Sequence, residues 1–262
     1  MNLRIVRSKR DYALAALLLV FAILLGAASD GQASEGAAFD FTELIKDTII
    51  YGNITKDTPA YNDYSNSRRQ TGEFKSGEVV EVLRDRAYAW YLVKAEDGRE
   101  GWIAADSISI PGDPETNLEQ LPQAVLEAYV NTRGLSSKTD HLVWVDLDRQ
   151  LTHVFTGKQG AWSLVRTMPS STGKNVSPTL RGLHEIAERG TWFYSPFLGR
   201  GGEYWVQFSG PYMFHSLPMD QERNIVDYTL LERRSAGCIR LSMQDSEWFY
   251  SFIKRGSTVF VN

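Results

Sequence analysis

An unbroken apolar run from Tyr12 to Ala28 (YALAALLLVFAILLGAA) follows a basic start and precedes small and polar residues from Ser29 to Ala38. No polar face interrupts it, which sets aside the alternative of a buried core helix. At about seventeen residues it sits at the lower end of what can span a bilayer. With Ala28 and Ala33 as cleavage points, residues 1–33 read as a signal peptide or an uncleaved membrane anchor. From 47 to 110 the pattern changes to short runs rich in β-branched and aromatic residues: TIIYGNI, GEVVEVLRD, WYLVKAEDGREGWI and SISI. Asp97-Gly98 folds the third of these back on itself, and the whole predicts a small all-β barrel.

Pro111-Gly112-Asp113-Pro114 can continue neither a strand nor a helix and opens a linker over 111–139. Within it Leu118, Leu121, Val125, Leu126, Tyr129 and Val130 recur at helical spacing, which predicts an amphipathic helix from Asn117 to Arg133. Residues 140–262 return to strand-like runs. HLVWVDLDRQLTHVFTG alternates on both sides of Asp148-Arg149-Gln150, as a hairpin with one buried face should. LVRTMPSSTGK, RGLHEIAERGTWFY and YWVQFSGPYMFHS supply further strands. A helix is signalled only near the end, where Ser242 caps, Asp245 completes a capping box, Trp248, Phe249 and Phe252 follow, and Gly256 is a stop.

The chain of 262 residues, 43% hydrophobic and 23% charged, is globular material for one large domain or two modest ones and excludes collagen, coiled coil and a multi-span membrane protein. Its net charge of −4 includes a basic start at Arg4, Arg7, Lys9 and Arg10, so the body is more acidic than the whole. Such a body is a poor partner for nucleic acid. Cations ahead of the apolar run place the body outside the cytoplasm, in the cell wall or on the outer face of the cytoplasmic membrane, with the N-terminal segment as its one contact with the membrane. The single cysteine, Cys238, permits neither an internal disulfide nor a cysteine-built zinc site. No metal or cofactor is expected. An unpaired thiol in an exported protein points instead to reactivity.

Candidate chemistry concentrates between Phe214 and Leu241. A nucleophilic thiol must become a thiolate, and a histidine within reach can take its proton. His215 precedes Cys238 by 23 residues, a spacing that suits two strand ends joined by a loop. Ser235, Ala236 and Gly237 are small enough for close substrate approach, and the backbone N–H groups around Gly237 and Cys238 could hold an oxyanion. Arg240 falls on the same strand face as Cys238, where a cation favours thiolate and can bind a carboxylate. Each of these residues alone also suits a structural role; their combination is what points to catalysis.

These residues resemble the L,D-transpeptidase catalytic domain, whose pattern is a histidine, a variable loop and Ser-x-Gly-Cys-x-Arg, here His215 and then Ser235-Ala236-Gly237-Cys238-Ile239-Arg240. Ser171-Thr172-Gly173, Ser177-Pro178 and Gly182-Leu183-His184-Glu185-Ile186 resemble the strand and turn before that active site. The resemblance implies a β-sandwich-like domain with a C-terminal helix over 140–262. It makes Cys238 the nucleophile, His215 the general base, the Ser216 carbonyl the group that orients the imidazole, and Gly237 and Arg240 supports of the site, with Ser235 and Tyr212 on the substrate side. Its implied reaction is acyl transfer from a peptidoglycan stem tetrapeptide, with loss of D-alanine, to an acceptor amine. Water in that role would make a carboxypeptidase, and a non-catalytic wall-binding protein is the alternative of another class. Ala236 stands where many members carry a second histidine, and the loop from His215 to Ser235 is long and charged. His184 is a rival base.

Residues 47–110 resemble the bacterial Src-homology-three-like (SH3-like) domains found beside cell-wall enzymes, on TKDTPAY, KSGEVVEVL, the WYLVKAEDGREGWI hairpin with Gly101-Trp102-Ile103, and SISI. The resemblance implies wall binding or positioning, with Tyr61, Tyr64, Tyr88, Trp90 and Tyr91 available to line a ligand groove. Sortases read Thr-Leu-x-Thr-Cys, and papain-like wall endopeptidases place Cys before His; neither pattern is present.

Overall fold

A computed structural model describes residues 40–262. The expected signal peptide or anchor, 1–33, lies outside the described residues. Among those described, no helix is long and apolar enough to cross a membrane. The fold is mostly β and is built from two sheets.

The first sheet contains β1 (Tyr51–Ile54), β2 (Thr58–Tyr61), β3 (Gln70–Phe74), β4 (Val79–Arg86), β5 (Trp90–Ala95), β6 (Glu100–Ala104) and β7 (Ile108–Ser109), in the order β3-β2-β6-β5-β4-β1-β7. All its pairings are antiparallel. It curls around Ile54, Phe74, Val80, Val93 and Ile103, the inward positions of its alternating strands. β3 was not predicted: Gln70, Thr71, Gly72 and Glu73 are all exposed, and only Phe74 faces the core. An edge strand with one neighbour can carry polar residues on both faces, which erases the alternation.

The linker meets the helix prediction in part. Helix α1 spans Gln123–Thr132 and buries Val125, Leu126, Tyr129 and Val130, but Asn117 to Leu121 are not helical. Pro122 disfavours helical backbone in the residue before it. Asn117 instead donates through both its backbone N–H and its side chain to Asp148, and Leu118 is exposed.

The second sheet holds β8 (His141–Asp146), β9 (Leu151–Lys158), β10 (Ala161–Ser171), β11 (Gly182–Glu185), β12 (Arg189–Ser195), β13 (Arg200–Ser209), β14 (Tyr212–His215), β15 (Ile239–Leu241) and β16 (Thr258–Val261). Their order is β11-β16-β8-β9-β10-β15-β14-β13-β12. The long β10 pairs with β9 along most of its length and with β15 at its end, so it joins two halves that share one core. Val143, Val154 and Met168 from one half meet Phe208, Phe214 and Ile239 from the other, giving the sandwich-like arrangement.

The predicted single buried face of β8 is corrected by the structure: all of its residues are buried. Val143 and Val145 face the shared core, while Leu142 and Trp144 are covered by α1. Helix α2 (Met243–Phe252) begins as predicted, with Ser242 Oγ accepting from the Asp245 N–H and donating to its carboxylate. It ends at Phe252, where Ile253 turns extended, and Gly256 serves the later turn into β16 with a φ of +89°.

The two sheets are fastened together. Ser177 Oγ donates to the buried Asp85 carboxylate at 2.6 Å, Tyr91 Oη donates to the Val176 carbonyl at 3.0 Å, and Arg181 pairs with Glu81 at 2.8 Å. A cavity of about 300 Å³ lies between them, lined by Arg84, Leu92, Leu180, Arg181, His184 and Arg233 among others.

Candidate active site

Parallel pairing of β14 with β15 sets Phe214 beside Ile239 and His215 beside Arg240. His215 is thus the last residue of one strand, and Cys238 immediately precedes its neighbour. Both reach a groove of about 190 Å³ that Arg240, Ser235 and Ala236 also line.

His215 is held on several sides. Its Nδ1–H donates to the Ser216 carbonyl oxygen at 2.7 Å, which fixes the tautomer and leaves the lone pair on Nε2. The Phe193 ring packs edge-on at 5.1 Å, and Gly202 lies so close that a Cβ there would sit 2.7 Å from Nδ1. Burial, helped by the charge of Arg240, pushes the imidazole pKa down to about 4. It is therefore neutral at pH 7 and can accept a proton.

Cys238 is half-buried, and its Sγ donates to the Pro211 carbonyl at 3.8 Å. The thiol bonds there and not to the imidazole. Burial pushes its pKa up, against the opposing pull of the Met213 N–H and of Arg240. The resting pair is thus a neutral thiol and a neutral imidazole.

The turn ahead of the thiol is braced by Ser235, whose hydroxyl donates to the Cys238 carbonyl and accepts from the Gly237 N–H at 3.1 Å. The oxyanion expectation changes accordingly, because the Gly237 N–H is already engaged. Gly237 has a φ of +99°, and a Cβ there would meet the Tyr212 ring at 2.2 Å. Glycine is required by both conformation and space. Tyr212, expected on the substrate side, is buried beneath this turn with the Arg84 guanidinium 5.6 Å from its ring centroid, so it supports the turn from below. Arg240 lines the groove and pairs with Asp227 at 3.2 Å.

His184 lines the cavity between the sheets and not the Cys238 groove, and its Nε2–H donates to the Leu180 carbonyl at 3.0 Å. The barrel aromatics do not form one groove. Tyr91 is buried at the inter-sheet contact, Arg68 covers Tyr61 and Trp90, and Tyr64 packs between Trp102 and Arg86.

Several lining residues were not assigned to this groove from the sequence, and four of them bear on its chemistry. Lys174, Arg200 and Arg234 join Arg240 in making the groove cationic, and among the described residues no carboxylate lines it. Tyr88 comes from the other sheet. The basic character of 233–234 was visible in the sequence, whereas Tyr88 was marked only as an aromatic for a groove of the SH3-like domain, and nothing in its residue type ties it to Cys238.

Residues 140–261 match the L,D-transpeptidase catalytic domain, and residues 65–109 match the bacterial SH3 domain. The C-terminal sheet with its groove is an L,D-transpeptidase catalytic domain. It is preceded in the chain by a bacterial SH3 domain, to which β1 and β2 add strands before the matched residues. The Bacillus subtilis protein YciB, which carries the name of an L,D-transpeptidase, is 31% identical over 129 residues, or 46% of this chain and 66% of that protein. L,D-transpeptidase 2 of Mycobacterium tuberculosis is 30% identical over 112 residues, 37% of this chain and 26% of that protein. Among solved structures, a Clostridium acetobutylicum protein described as a fused zinc-dependent amidase, peptidase and peptidoglycan-binding-domain protein is 26% identical, with a TM-score of 0.46 over 56% of this chain and 66% of that one. The chain thus spans just under two thirds of the first curated relative and about a quarter of the second.

Proposed function

We propose that this chain is an exported peptidoglycan L,D-transpeptidase working by cysteine acyl transfer, with the cell wall as its substrate. The reading is carried by one observation: Cys238 and His215 share a single groove at the ends of paired parallel strands, within a domain of that family. Cys238 Sγ attacks the carbonyl of the third residue of a stem tetrapeptide. As its C–S bond forms, His215 Nε2 takes the thiol proton, and the same proton passes to the nitrogen of D-alanine as the C–N bond breaks. An amine of a neighbouring stem then attacks the thioester, gives up a proton, and restores the thiol. The cationic lining from Lys174, Arg200 and Arg234 suits a peptide that bears carboxylates.

The SH3 domain is assigned to wall binding, and the basic start with its apolar run to export and, if uncleaved, to membrane attachment. Incubation of the purified full chain with a defined stem tetrapeptide, followed by mass spectrometry, tests the activity. A cross-linked dimer of stems, absent with Cys238→Ser, is the expected product. Hydrolysed tripeptide alone would make the enzyme a carboxypeptidase, and an unmodified Cys238 with no product would leave only a wall-binding protein.

A further inference from the structure

We propose that Tyr88, carried by the SH3 domain, forms a wall of the Cys238 groove and touches the peptide substrate, so that this domain completes the active site as well as binding the wall. The inference rests on the function proposed above and assigns one more substrate contact to that site.

Four observations carry it. Tyr88 lines the same groove as Cys238 and His215 while remaining 44% exposed, so its ring is presented to the groove and not consumed in the barrel core. It sits at the tip of the β4–β5 hairpin, where Ala87 and Tyr88 have φ values of +52° and +57°. Two successive residues other than glycine in the left-handed region are unusual, and such backbone persists only where its surroundings hold it.

Hydrogen bonds on both sides of the turn supply those surroundings. Ala89 N–H donates to the Arg86 carbonyl to close the turn, and Tyr88 N–H donates to Asp85 Oδ2 at 3.1 Å. The other oxygen of that carboxylate accepts from Ser177 Oγ of the catalytic domain. The segment containing Ser177 also holds the nucleophile turn, since Thr179 Oγ1 donates to the Gly237 carbonyl at 2.9 Å and Lys174 N–H donates to the Ser235 carbonyl at 3.1 Å. One stretch of chain, 174–179, therefore positions both the Tyr88 hairpin and the Cys238 turn.

The groove chemistry says what Tyr88 would touch. Lys174, Arg200, Arg234 and Arg240 supply charge for carboxylates, while Tyr88, Phe193 and Leu198 supply apolar surface. A peptide whose carboxylates meet the cations would lay its aliphatic portions against the aromatic faces. The tyrosine ring, more than its hydroxyl, is the useful part.

The test uses the full chain with Tyr88→Ala, Tyr88→Phe and, as a barrel control away from the groove, Tyr51→Ala. Two measurements are made: KM and kcat for a defined stem tetrapeptide, and the ratio of Cys238 alkylation rates for a bulky N-aryl maleimide over iodoacetamide. Tyr88→Ala should raise KM roughly tenfold with kcat changed far less, in the range found for truncating an aromatic contact. It should also raise the bulky-to-small ratio several-fold by opening the wall. Tyr88→Phe should stay near wild type in both, as should Tyr51→Ala. Unchanged KM and ratio in Tyr88→Ala would overturn the inference, as would a raised ratio with unchanged KM, since the ring would then line the groove without touching substrate. A fall in kcat with an unchanged ratio would make Tyr88 merely structural and overturn it as well. If wild type does not turn over the tetrapeptide, the proposed function fails, and an unchanged alkylation ratio would remove Tyr88 from the wall independently.

Discussion

Varying pH separates two electrostatic states of the candidate nucleophile. The Cys238 thiol donates a hydrogen bond to the Pro211 carbonyl, burial lifts its pKa above the ordinary value of 9.0, and His215 is held down to about 4. Between those values both groups are neutral. At pH 7 a thiol that titrates above 9.0 is ionised in fewer than about one molecule in a hundred. Iodoacetamide consumes thiolate, so the alkylation rate of Cys238 should climb about tenfold per pH unit from about pH 7 toward 9, with no plateau on the acid side. A thiolate–imidazolium pair formed at rest would instead give a plateau reaching down to about pH 5. Arg240 is the cation that pulls the thiol toward ionisation, so Arg240→Ala should move the climb to higher pH. The assay is the pseudo-first-order rate of mass gain at Cys238 across the range, with Cys238→Ser as the blank. A pH-independent rate between about pH 5 and 7 in wild type would refute the neutral resting pair and with it the idea that proton transfer waits for substrate.

His215→Ala should lower acylation by the stem peptide about a hundred- to ten-thousand-fold, whereas His184→Ala, in the cavity between the sheets, should leave the rate near wild type; the reverse order would reassign the base. Gly237→Ala forces a Cβ to 2.2 Å from the Tyr212 ring at a φ of +99°. Overpacking and the left-handed backbone together should cost about 2–5 kcal/mol, and a loss under about 1 kcal/mol in denaturant titration would contradict the tight turn. Buried His153, pushed down to about 3, takes up its proton in the unfolded chain first, so stability present above about pH 6.5 is lost on acidification through the folded value. That loss should reach about 2 kcal/mol by about pH 5, and a His153→Phe variant with an undiminished pH slope would show that the group does not carry it.

Much of the architecture was legible because its signals are local. The Asp97-Gly98 turn, the Ser242–Asp245 cap and the Asp148-Arg149-Gln150 hairpin depend on a few neighbouring residues, and each appears where the pattern put it. Apart from the helix start, which Pro122 moves to Gln123, what failed depended on covering or pairing from elsewhere. The alternation in β8 was outvoted because α1 covers one face while the shared core covers the other, and β3 escaped notice because an edge strand needs no apolar face.

The same division runs through the site. The spacing from His215 to Cys238 and the small residues before the thiol are local facts, and they pointed to the two side chains that do share a groove. Who touches whom there is decided by pairing between distant strands. Tyr212 precedes His215 by only three residues in the sequence, yet the register of β14 buries its ring beneath Gly237. Tyr88 is far removed from both in the sequence and belongs to another sheet, yet the bond from Ser177 to Asp85 carries its hairpin to the rim of the groove. A side chain that reaches a site through two buried bonds on another segment leaves no periodicity behind it, so the sequence marked Tyr88 for a groove of the SH3-like domain, and its place beside Cys238 emerged only with the path from Asp85 through 174–179 to Gly237. If that path matters to function, weakening its middle bond with Ser177→Ala should loosen the hairpin and the thiol turn together. Increased hydrogen exchange confined to one of the two would break the link.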